Sequence, residues 1–328
     1  MTEKFVGAGK RILVTGASGF IGTSLCSNLA MSGFCVRGVS RSSSNLNIIY
    51  KDMISVGEID GLTSWDQALC DVDTIVHLAG RAHILKESIN CPLDEYIRIN
   101  VKGTRNLALS AVKHGVKRLV FISSIGVNGK FTSSESKFFA SDVPNPHNNY
   151  SLSKFMAEKE LFSVAKNTNL EIVIIRPPLV YGPNVKANFG NMMTWLFKEI
   201  PLPFGCIKNK RSLVSIDNLV DLIITCIGHP EAANEIFLVS DGEDISTPDL
   251  LNRLISFLGK KSFVFPFNTY LLKIFFIALG KKSLFHQLFS SLQVDISETK
   301  KKLNWSPASC VDESLKKTAQ FFLNSKVP

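Results

Sequence analysis

A tyrosine and a lysine four residues apart could form an acid–base pair in this chain. Tyr150 and Lys154 stand in the sequence YSLSK, and residues i and i+4 lie on the same face of a helix. A free tyrosine has a pKa of about 10, too high for a base at neutral pH, but a nearby cation favours the phenolate. The spacing therefore indicates a phenol that acts as general acid and base.

Two serines, Ser123 and Ser124, directly follow the apolar run LVFI. Ligands of open α/β sheets bind at the carboxyl ends of the strands, so a serine hydroxyl there could hydrogen-bond a reacting carbonyl or hydroxyl oxygen. YxxxK alone is common and usually lies on a surface. Together with these serines and a glycine-rich turn upstream, it forms a much more specific combination.

That glycine-rich turn is RILVTGASGFIG, in which Gly16, Gly19 and Gly22 directly follow an expected strand and stand at the start of an expected helix. The first glycine permits a tight turn, the second lets backbone N–H groups approach a pyrophosphate, and the third lets the helix pack closely on the strand. The positive end of the helix dipole then faces the phosphates. A plain turn is the alternative, and the context favours dinucleotide binding.

The end of the second expected strand bears on the cofactor. An acidic residue there would bind the ribose of NAD, whereas this chain has Ser40 and Arg41. A hydroxyl and a guanidinium match a 2′-phosphate. The sequence therefore favours NADP(H), with NAD as an alternative and an ordinary surface arginine as the simplest explanation of Arg41.

Apolar runs separated by amphipathic stretches predict a Rossmann-type α/β fold with a doubly wound parallel sheet. We expect a cofactor-binding domain over 1–177 and a smaller, loop-rich substrate lobe with irregular helices over 178–328, some segments of which return to the first domain. The predicted strands are Arg11–Thr15, Cys35–Val39, Thr74–Leu78, Leu119–Ile122 and Glu171–Ile175, and the predicted helices include Ile21–Met31 and Tyr96–His114.

Composition narrows the function classes. The 328 residues carry 37 Lys and Arg against 28 Asp and Glu, a net charge of +9. The basic residues are scattered and do not interleave with aromatic ones, so we expect no nucleic-acid binding. Seven widely spaced cysteines without CxxC predict reduced thiols, no metal site and a cytoplasmic protein without a secretory signal. The tract Tyr270–Leu279 is too short to span a bilayer and predicts a buried helix, with a membrane-surface or partner contact as the alternative.

The chain resembles the extended short-chain dehydrogenases/reductases, specifically the NAD-dependent epimerase/dehydratase family that modifies nucleotide sugars. The matching motifs occur in the family's order and cover most of the chain. They are TGASGFIG (15–22), DTIVHLAG (73–80), NVKGT (100–104), FISSIGVNG (121–129), YSLSK (150–154), RPPLVYGP (176–183) and RSLVSIDNLVD (211–221).

The resemblance implies a role for each motif. Tyr150 would transfer the proton, Lys154 would hold the cofactor ribose and lower the tyrosine pKa, and Ser124, favoured over Ser123, would bind the sugar oxygen. The expected catalytic residues are Ser124, Tyr150 and Lys154. The expected cofactor residues are Gly16, Ser18, Gly19, Phe20, Ile21, Gly22, Ser40, Arg41, Leu78, Ala79, Gly80, Asn100, Ser123, Tyr150, Lys154 and Pro177. The expected substrate residues are Ser124, Asn128, Lys186, Asn188 and Arg211, with Asn128 replacing a family tyrosine.

The resemblance implies chemistry at C4 of a UDP-linked hexose or N-acetylhexosamine. Because a net reduction usually draws on NADPH, Ser40-Arg41 favours a reductase of a UDP-4-keto-6-deoxy-N-acetylhexosamine for surface polysaccharide. A UDP-sugar 4-epimerase with tightly bound NAD is the alternative. A non-catalytic NADP-binding sensor on the same fold is a remote one, since the Ser/Tyr/Lys set is intact. A homodimer is compatible with all three.

Overall fold

Ten strands form two sheets in the computed structural model, which describes residues 9–41, 52–81, 92–280 and 282–326. Seven parallel strands form the main sheet in the order β3-β2-β1-β4-β5-β6-β9, and three form a small sheet in the order β10-β8-β7. The strands are β1 (Arg11–Thr15), β2 (Cys35–Ser40), β3 (Met53–Ser55), β4 (Thr74–His77), β5 (Arg118–Ile122), β6 (Glu171–Arg176), β7 (Leu179–Tyr181), β8 (Arg211–Ser215), β9 (Glu235–Leu238) and β10 (Asp244–Ile245).

Helices cover both faces of the main sheet and build most of the second lobe. A π-helical stretch, Ile97–Gly103, continues directly into α3, and a 3₁₀ turn covers Ile125–Val127. The α-helices are α1 (Phe20–Met31), α2 (Pro92–Tyr96), α3 (Thr104–Lys113), α4 (Asn149–Lys166), α5 (Ala187–Phe197), α6 (Ile216–Gly228), α7 (Thr247–Leu258), α8 (Thr269–Ala278), α9 (Lys282–Phe289), α10 (Ser297–Leu303) and α11 (Val311–Asn324).

The main sheet confirms the expected Rossmann-type doubly wound fold. From β1 the chain builds outward through β2 and β3 on one side, and then through β4, β5, β6 and β9 on the other. The central strands β4 and β5 are buried along their whole length, as the continuous apolar runs predicted. The order reverses between β1 and β4, and the carboxyl ends of these two strands flank the crevice where ligands bind in such sheets.

The second lobe is more regular than the sequence suggested. The helices α6, α7 and α11 have 13, 12 and 14 residues, and serines cap two of them: Ser215 accepts from the N–H of Asn218, and Ser246 from that of Asp249. The expectation of irregular helices after Pro177 is therefore wrong. Hydroxyl caps and apolar faces matter more to these helices than the proline-rich turns between them.

The two parts of the chain interpenetrate. The strand β9 pairs with β6 at the edge of the main sheet, and α6 packs against α1. A separate apolar cluster in the lobe collects side chains from α5, α7, α8 and α11. No helix within the described ranges is long and apolar enough to cross a membrane.

Helix α8 departs from the expectation for its tract. Only Leu272 and Phe276 are buried, whereas most of its other apolar side chains are exposed. The prediction of a buried helix over Tyr270–Leu279 is therefore wrong. Because α8 lies on the outside of the lobe, one stripe of its surface reaches the core and the rest faces outward.

Candidate functional site

The glycine-rich turn adopts the geometry that dinucleotide binding requires. Gly16 has a positive φ of +69° and lies so close to Ala79 that an added Cβ would be 3.0 Å from its backbone nitrogen. A Cβ on Gly22 would overlap the carbonyl oxygen of Gly16. These positions exclude side chains because the turn, the helix and β4 meet there.

The N-terminus of α1 is available to an anion. Gly19 is the N-cap and provides no capping side chain. The first turn contains the expected cofactor residues Phe20, Ile21 and Gly22. Free N–H groups at a helix N-terminus attract phosphate, so this part of the chain fits a dinucleotide pyrophosphate.

A cavity of about 400 Å³ opens beside this helix N-terminus. One wall is the glycine turn, with Ser18, Gly19 and Phe20, and the opposite wall runs from Leu179 to Phe189. This second wall includes Lys186 and Asn188, which the sequence assigned to substrate. The fold thus brings expected cofactor and substrate residues, far apart in sequence, to one opening, which we call the candidate cavity.

Ser40 and Arg41 lie at the end of β2, as predicted. Ser40 is buried, whereas Arg41 is exposed. The backbone carbonyl of Arg41 accepts a hydrogen bond from the hydroxyl of Ser55, 3.2 Å away. The position suits contact with the adenosine end of a dinucleotide, because it follows the strand next to the glycine turn.

Lys154 is a buried cation at the carboxyl edge of the sheet. Its Nζ lies 4.0 Å from the centre of the Phe121 ring and 3.9 Å from where a Cβ on Gly80 would lie. Burial lowers the pKa of Lys154 to about 7, although the negative charge of Glu158 opposes the shift. The helix α4 therefore places this amine at the carboxyl ends of β4 and β5.

Tyr150 lies one helical turn before Lys154, next to Tyr96, with the two ring centroids 6.3 Å apart. Burial raises the pKa of Tyr150 to about 12, and the neighbouring Tyr96 raises it further. The resemblance implied a lowered pKa, whereas in the protein without ligands the pKa of Tyr150 is raised. Loss of water around the phenol disfavours the phenolate, and burial also favours the neutral form of the Lys154 amine.

Ser124 lies near the start of α4, with Gly126 packed between them. A Cβ on Gly126 would lie 3.3 Å from the hydroxyl of Ser124 and 3.2 Å from the side chain of Ser151, the residue after Tyr150. The Ser124 hydroxyl accepts the backbone N–H of Gly126 at 3.1 Å and so caps the 3₁₀ turn. It retains its own proton as a donor for a ligand oxygen.

Asn100 holds the loop after β4. Its side-chain oxygen accepts the N–H of Arg81 at 2.7 Å, and its amide nitrogen donates to the carbonyl of Arg81 and to the hydroxyl of Ser153. The same oxygen would lie 2.9 Å from a Cβ on Gly80. Asn100 thus connects the expected cofactor loop, Leu78–Gly80, to helix α4.

A buried polar network behind the site was missed by the sequence analysis. Glu158 and Arg176 form a two-pronged ion pair with contacts of 3.0 and 2.6 Å. The hydroxyl of Ser123 donates to Glu158 at 2.5 Å, and Arg176 donates to the side-chain oxygen of Asn128 at 3.0 Å. Two features of the sequence could have indicated this network: a glutamate four residues after Lys154 and an arginine at the end of the apolar run EIVIIR.

This network reassigns two expected site residues. Asn128 also donates to the carbonyl of Phe139, so both ends of its amide are occupied within the protein. The substrate contact expected of Asn128 is therefore corrected to a structural role. Ser123 likewise directs its hydroxyl at Glu158 rather than at an opening. Pro177 supports the same strand end, where its carbonyl accepts the N–H of Ile125.

Arg211 lies on β8, outside the candidate cavity. One guanidinium nitrogen donates to the carbonyl of Ser290 at 3.0 Å, and burial lowers the pKa of Arg211 below its usual range. Four more N–H donors remain in the guanidinium fork. The structure therefore does not bring Arg211 to the wall that carries Lys186 and Asn188.

Comparison with known proteins decides the family. The sequence profile of the NAD dependent epimerase/dehydratase family matches residues 12–240. A UDP-glucose 4-epimerase from Vibrio cholerae is 46% identical over 321 residues, which cover 96% of each chain.

The chain belongs to the NAD-dependent epimerase/dehydratase family. The relatives that it matches include UDP-sugar 4-epimerases and reductases of other substrates. An undecaprenol-linked N-acetylglucosaminyl 4-epimerase from Escherichia coli O157:H7 is 28% identical over 253 residues, which cover 76% of this chain and 73% of that protein.

Solved structures of this family share the fold. The UDP-glucuronic acid 4-epimerase from Bacillus cereus, in complex with NAD, superposes with a TM-score of 0.76 at 21% identity over 96% of this chain and 99% of its own. The UDP-glucose 4-epimerase from Thermotoga maritima with UDP-glucose gives 0.73 at 22% identity, with the same coverage. These likenesses confirm the fold.

Proposed function

We propose that this family member interconverts the C4 epimers of a UDP-linked hexose or N-acetylhexosamine. The observation that carries the proposal is the 46% identity to a UDP-glucose 4-epimerase along nearly the whole chain, joined to an intact Tyr150–Lys154 pair beside the glycine turn. The sequence alone favoured a reductase. The relative supports the alternative, so epimerisation becomes the first candidate.

Tyr150 is the proton carrier in this proposal. It accepts the proton of the C4 hydroxyl when the sugar is oxidised. It returns a proton to the C4 oxygen when the keto sugar, having turned its other face to the hydride donor, is reduced. Its high pKa in the protein alone, about 12, favours the protonated acid. A positively charged group at the site lowers that pKa, as does a hydrogen bond that the C4 hydroxyl donates to the phenolate. Ser124 donates a hydrogen bond to the same oxygen.

Lys154 orients the cofactor ribose and supplies positive charge. Its pKa of about 7 means that roughly half the amines are charged at neutral pH before a ligand binds. Ribose hydroxyls that accept its hydrogen bonds favour the charged form. Binding therefore raises the lysine charge when Tyr150 must lose its proton.

A nicotinamide dinucleotide fits this chain's residues. The glycine turn, the uncapped N-terminus of α1 and the candidate cavity accommodate its diphosphate, and Asn100 holds Leu78–Gly80 in place along its path. When bound, the dinucleotide would supply reversible hydride transfer at C4 of the sugar. We propose that Lys186 and Asn188, across the cavity, contact the substrate side, and that Arg211 reaches the diphosphate only if its contact with Ser290 exchanges.

Arg41 supports a second candidate function, that of an NADPH-dependent 4-keto reductase. Its exposed guanidinium at the end of β2 suits the 2′-phosphate of NADP(H), and a consumed cofactor suits a reductase of a UDP-4-keto-6-deoxy-N-acetylhexosamine. This proposal requires hydride from external NADPH once per turnover. Both candidates use Ser124, Tyr150 and Lys154 in the same way, so only the hydride balance separates them.

The deciding experiment follows the cofactor and the sugar together. Purified protein with catalytic NAD⁺ is incubated with UDP-glucose, UDP-galactose and their N-acetyl forms, and the products are separated by chromatography. We expect each pair to interconvert without a net change in absorbance of reduced nicotinamide. Consumption of NADPH in step with a 4-keto sugar, without interconversion of epimers, would replace the first candidate by the second.

Arg41→Ala tests the cofactor. If the epimerase uses NAD, the variant binds NAD and NADP within about twofold of the unmodified protein. If the 2′-phosphate is recognised, the affinity for NADPH falls on the order of tenfold or more, the loss of a charge-assisted contact, while the affinity for NADH does not change. Lys166→Ala, an exposed lysine at the end of α4, is the control for net charge.

A further inference from the structure

Large apolar side chains are exposed together on one side of the second lobe. Of the 18 exposed large hydrophobic residues in the described ranges, eight lie within the 17 residues 263–279. We call these eight the apolar patch. They are Phe263, Phe267, Tyr270, Leu271, Ile274, Phe275, Ile277 and Leu279. Single exposed hydrophobics are ordinary, but a contiguous group marks a surface that meets something else.

Helix α8 forms the centre of the apolar patch and is firmly anchored. Leu272 and Phe276, one turn apart, insert into the core of the lobe, where the Phe276 ring lies 6.1 Å from Phe285 and 6.4 Å from Phe289. Asn268 caps the helix by accepting the N–H groups of Tyr270 and Leu271. The outward face is therefore apolar in the folded protein itself, without any opening of the lobe.

The exposure on that face is large. Tyr270 is 68% exposed and Phe275 59%, and both lie on turns of α8 that face away from the core. The preceding segment continues the surface: the rings of Phe263, Phe265 and Phe267 follow one another at 6.0 and 6.5 Å. The apolar patch is thus a continuous ridge of helix and extended chain.

The charged residues of the segment that carries the apolar patch are all basic, although Glu199 from another segment accepts the backbone N–H of Lys261 at 3.2 Å. Between Asp249 and Asp295 the sequence contains no acidic residue and six basic ones, Arg253, Lys260, Lys261, Lys273, Lys281 and Lys282. Arg253 is paired with Glu243 and Asp312. In contrast, Lys261 and Lys273 are exposed and lie directly beside patch residues. A basic rim around apolar and aromatic side chains is complementary to an anionic surface.

We propose that the apolar patch docks this enzyme on the surface of an anionic lipid bilayer. The helix would lie in the interface plane with Ile274 and Phe275 among the acyl chains and Lys273 at the headgroups. Ten residues of α8 cannot span the bilayer, but an interfacial helix need not. A protein partner with the same chemistry would need a dense acidic rim of its own, whereas a lipid surface supplies it everywhere.

The apolar patch is connected to the candidate cavity by helix α5. Asn188 and Phe189, at the start of α5, line the cavity, and Phe197, at its end, lies under Lys260, whose Nζ is 4.3 Å from the ring centre. Eleven helical residues extend about 16 Å. Docking would therefore hold the cavity close to the membrane surface. The inference is independent of which C4 reaction the enzyme performs.

Flotation of the full chain with lipid vesicles tests the proposal. The purified protein is mixed with vesicles of phosphatidylethanolamine and phosphatidylglycerol, or with vesicles of phosphatidylcholine alone, and centrifuged through a density gradient. We expect flotation with the anionic vesicles and at least tenfold less with the neutral ones. Binding should weaken as salt rises from 50 to about 500 mM, because screening reduces the lysine attraction.

Matched variants distinguish lipid binding through the apolar patch from non-specific adsorption of the protein. Ile274→Ser combined with Phe275→Ser should lower binding to anionic vesicles by on the order of tenfold or more. Leu62→Ser, at a residue that is 94% exposed elsewhere, should leave binding unchanged. Lys261→Glu combined with Lys273→Glu should abolish flotation. Lys117→Glu combined with Lys166→Glu changes the net charge equally at exposed positions outside the patch, and this variant should retain most of the flotation.

Three results would overturn the proposal. The first is no flotation of the unmodified protein with anionic vesicles at low salt. The second is binding that the patch variants and their controls retain equally. The third is self-association, measured by analytical ultracentrifugation, that the patch substitutions abolish while lipid binding is absent, since a second copy would then be the occupant. Circular dichroism and thermal unfolding confirm that each variant is folded.

Discussion

Helices α4 and α8 both break the usual rule for a surface helix, and in opposite directions. The buried residues of α4 include polar ones, among them Ser153, Lys154 and Glu158. The outward face of α8 is apolar. An ordinary amphipathic helix would bury its apolar face and expose its polar one.

The two helices differ in where their partners are. Glu158 is satisfied by Arg176, and Ser153 donates to the carbonyl of Tyr150 while it accepts from Asn100. Within the described part of the chain, nothing covers the outward face of α8. Polar groups inside a protein must find partners in the fold or shift their pKa, whereas apolar groups outside remain at a cost until something binds. The buried polar residues of α4 thus belong to the site inside the protein, whereas the exposed apolar face of α8 suits a contact outside it.

Tyr150→Phe tests the chemical side of this comparison and should have the largest effect. Removing the hydroxyl deletes proton transfer, so turnover should fall by roughly 10²–10⁴, while dinucleotide affinity and the unfolding temperature stay close to those of the unmodified protein. Rates of UDP-glucose and UDP-galactose interconversion and cofactor titration measure the two quantities. Full activity would remove Tyr150 from the acid–base role. Tyr270→Phe, on the outward face of α8, is the matched control and should retain full turnover.

Glu158→Ala tests whether the polar interior of α4 is internally paired. The change leaves Arg176 buried without a carboxylate partner, which should cost about 3–5 kcal/mol of unfolding free energy. Glu160, two residues away on the same helix, pairs with Arg105 at an exposed position, so Glu160→Ala should cost less than about 1 kcal/mol. Urea unfolding of both variants measures the two losses of unfolding free energy. Equal losses would mean that the buried network does not stabilise the fold.

Helix α8 offers the same contrast for apolar residues. Leu272→Ala removes a core side chain and should cost about 2–4 kcal/mol, whereas Ile274→Ser, two residues on, should change stability by less than about 0.5 kcal/mol because its side chain is exposed. Both are measured by urea unfolding without lipid. A large loss for Ile274→Ser would show that its side chain is packed within the protein and would weaken the docking proposal.

The pH dependence of the unfolding free energy tests whether Lys154 on α4 is buried as the structure shows. In the folded protein it loses its proton near pH 7, whereas in the unfolded chain it keeps it to about pH 10.4. Between these values the unfolded chain binds more protons, so stability rises with pH. From pH 7 to 9 the unmodified protein should gain about 2 kcal/mol relative to Lys154→Met. Urea unfolding at both pH values, without cofactor, measures this difference, and parallel behaviour of the two proteins would contradict the lowered pKa.

The strand pattern and the glycine turn were readable from the sequence. The run RILVT became β1 with the predicted bounds, and Gly16 and Gly19 lie between β1 and α1 while Gly22 lies in the first turn of α1. Such features depend on neighbours in the chain: continuous apolar runs form buried strands, and a tight turn requires glycine. For the same reason the YSLSK spacing located Tyr150 and Lys154 on one helix face.

Only the tertiary structure decided the electrostatics and the exposure. The pKa of Tyr150 rises instead of falling because tertiary packing buries the phenol and places it beside Tyr96 of α2. Asn128 joins Arg176 across 48 positions, a pairing that no local pattern contains. Helix α8 has the composition of a core helix, yet it lies at the edge of the lobe. Burial is a property of where elements pack, and periodicity within one element does not determine it.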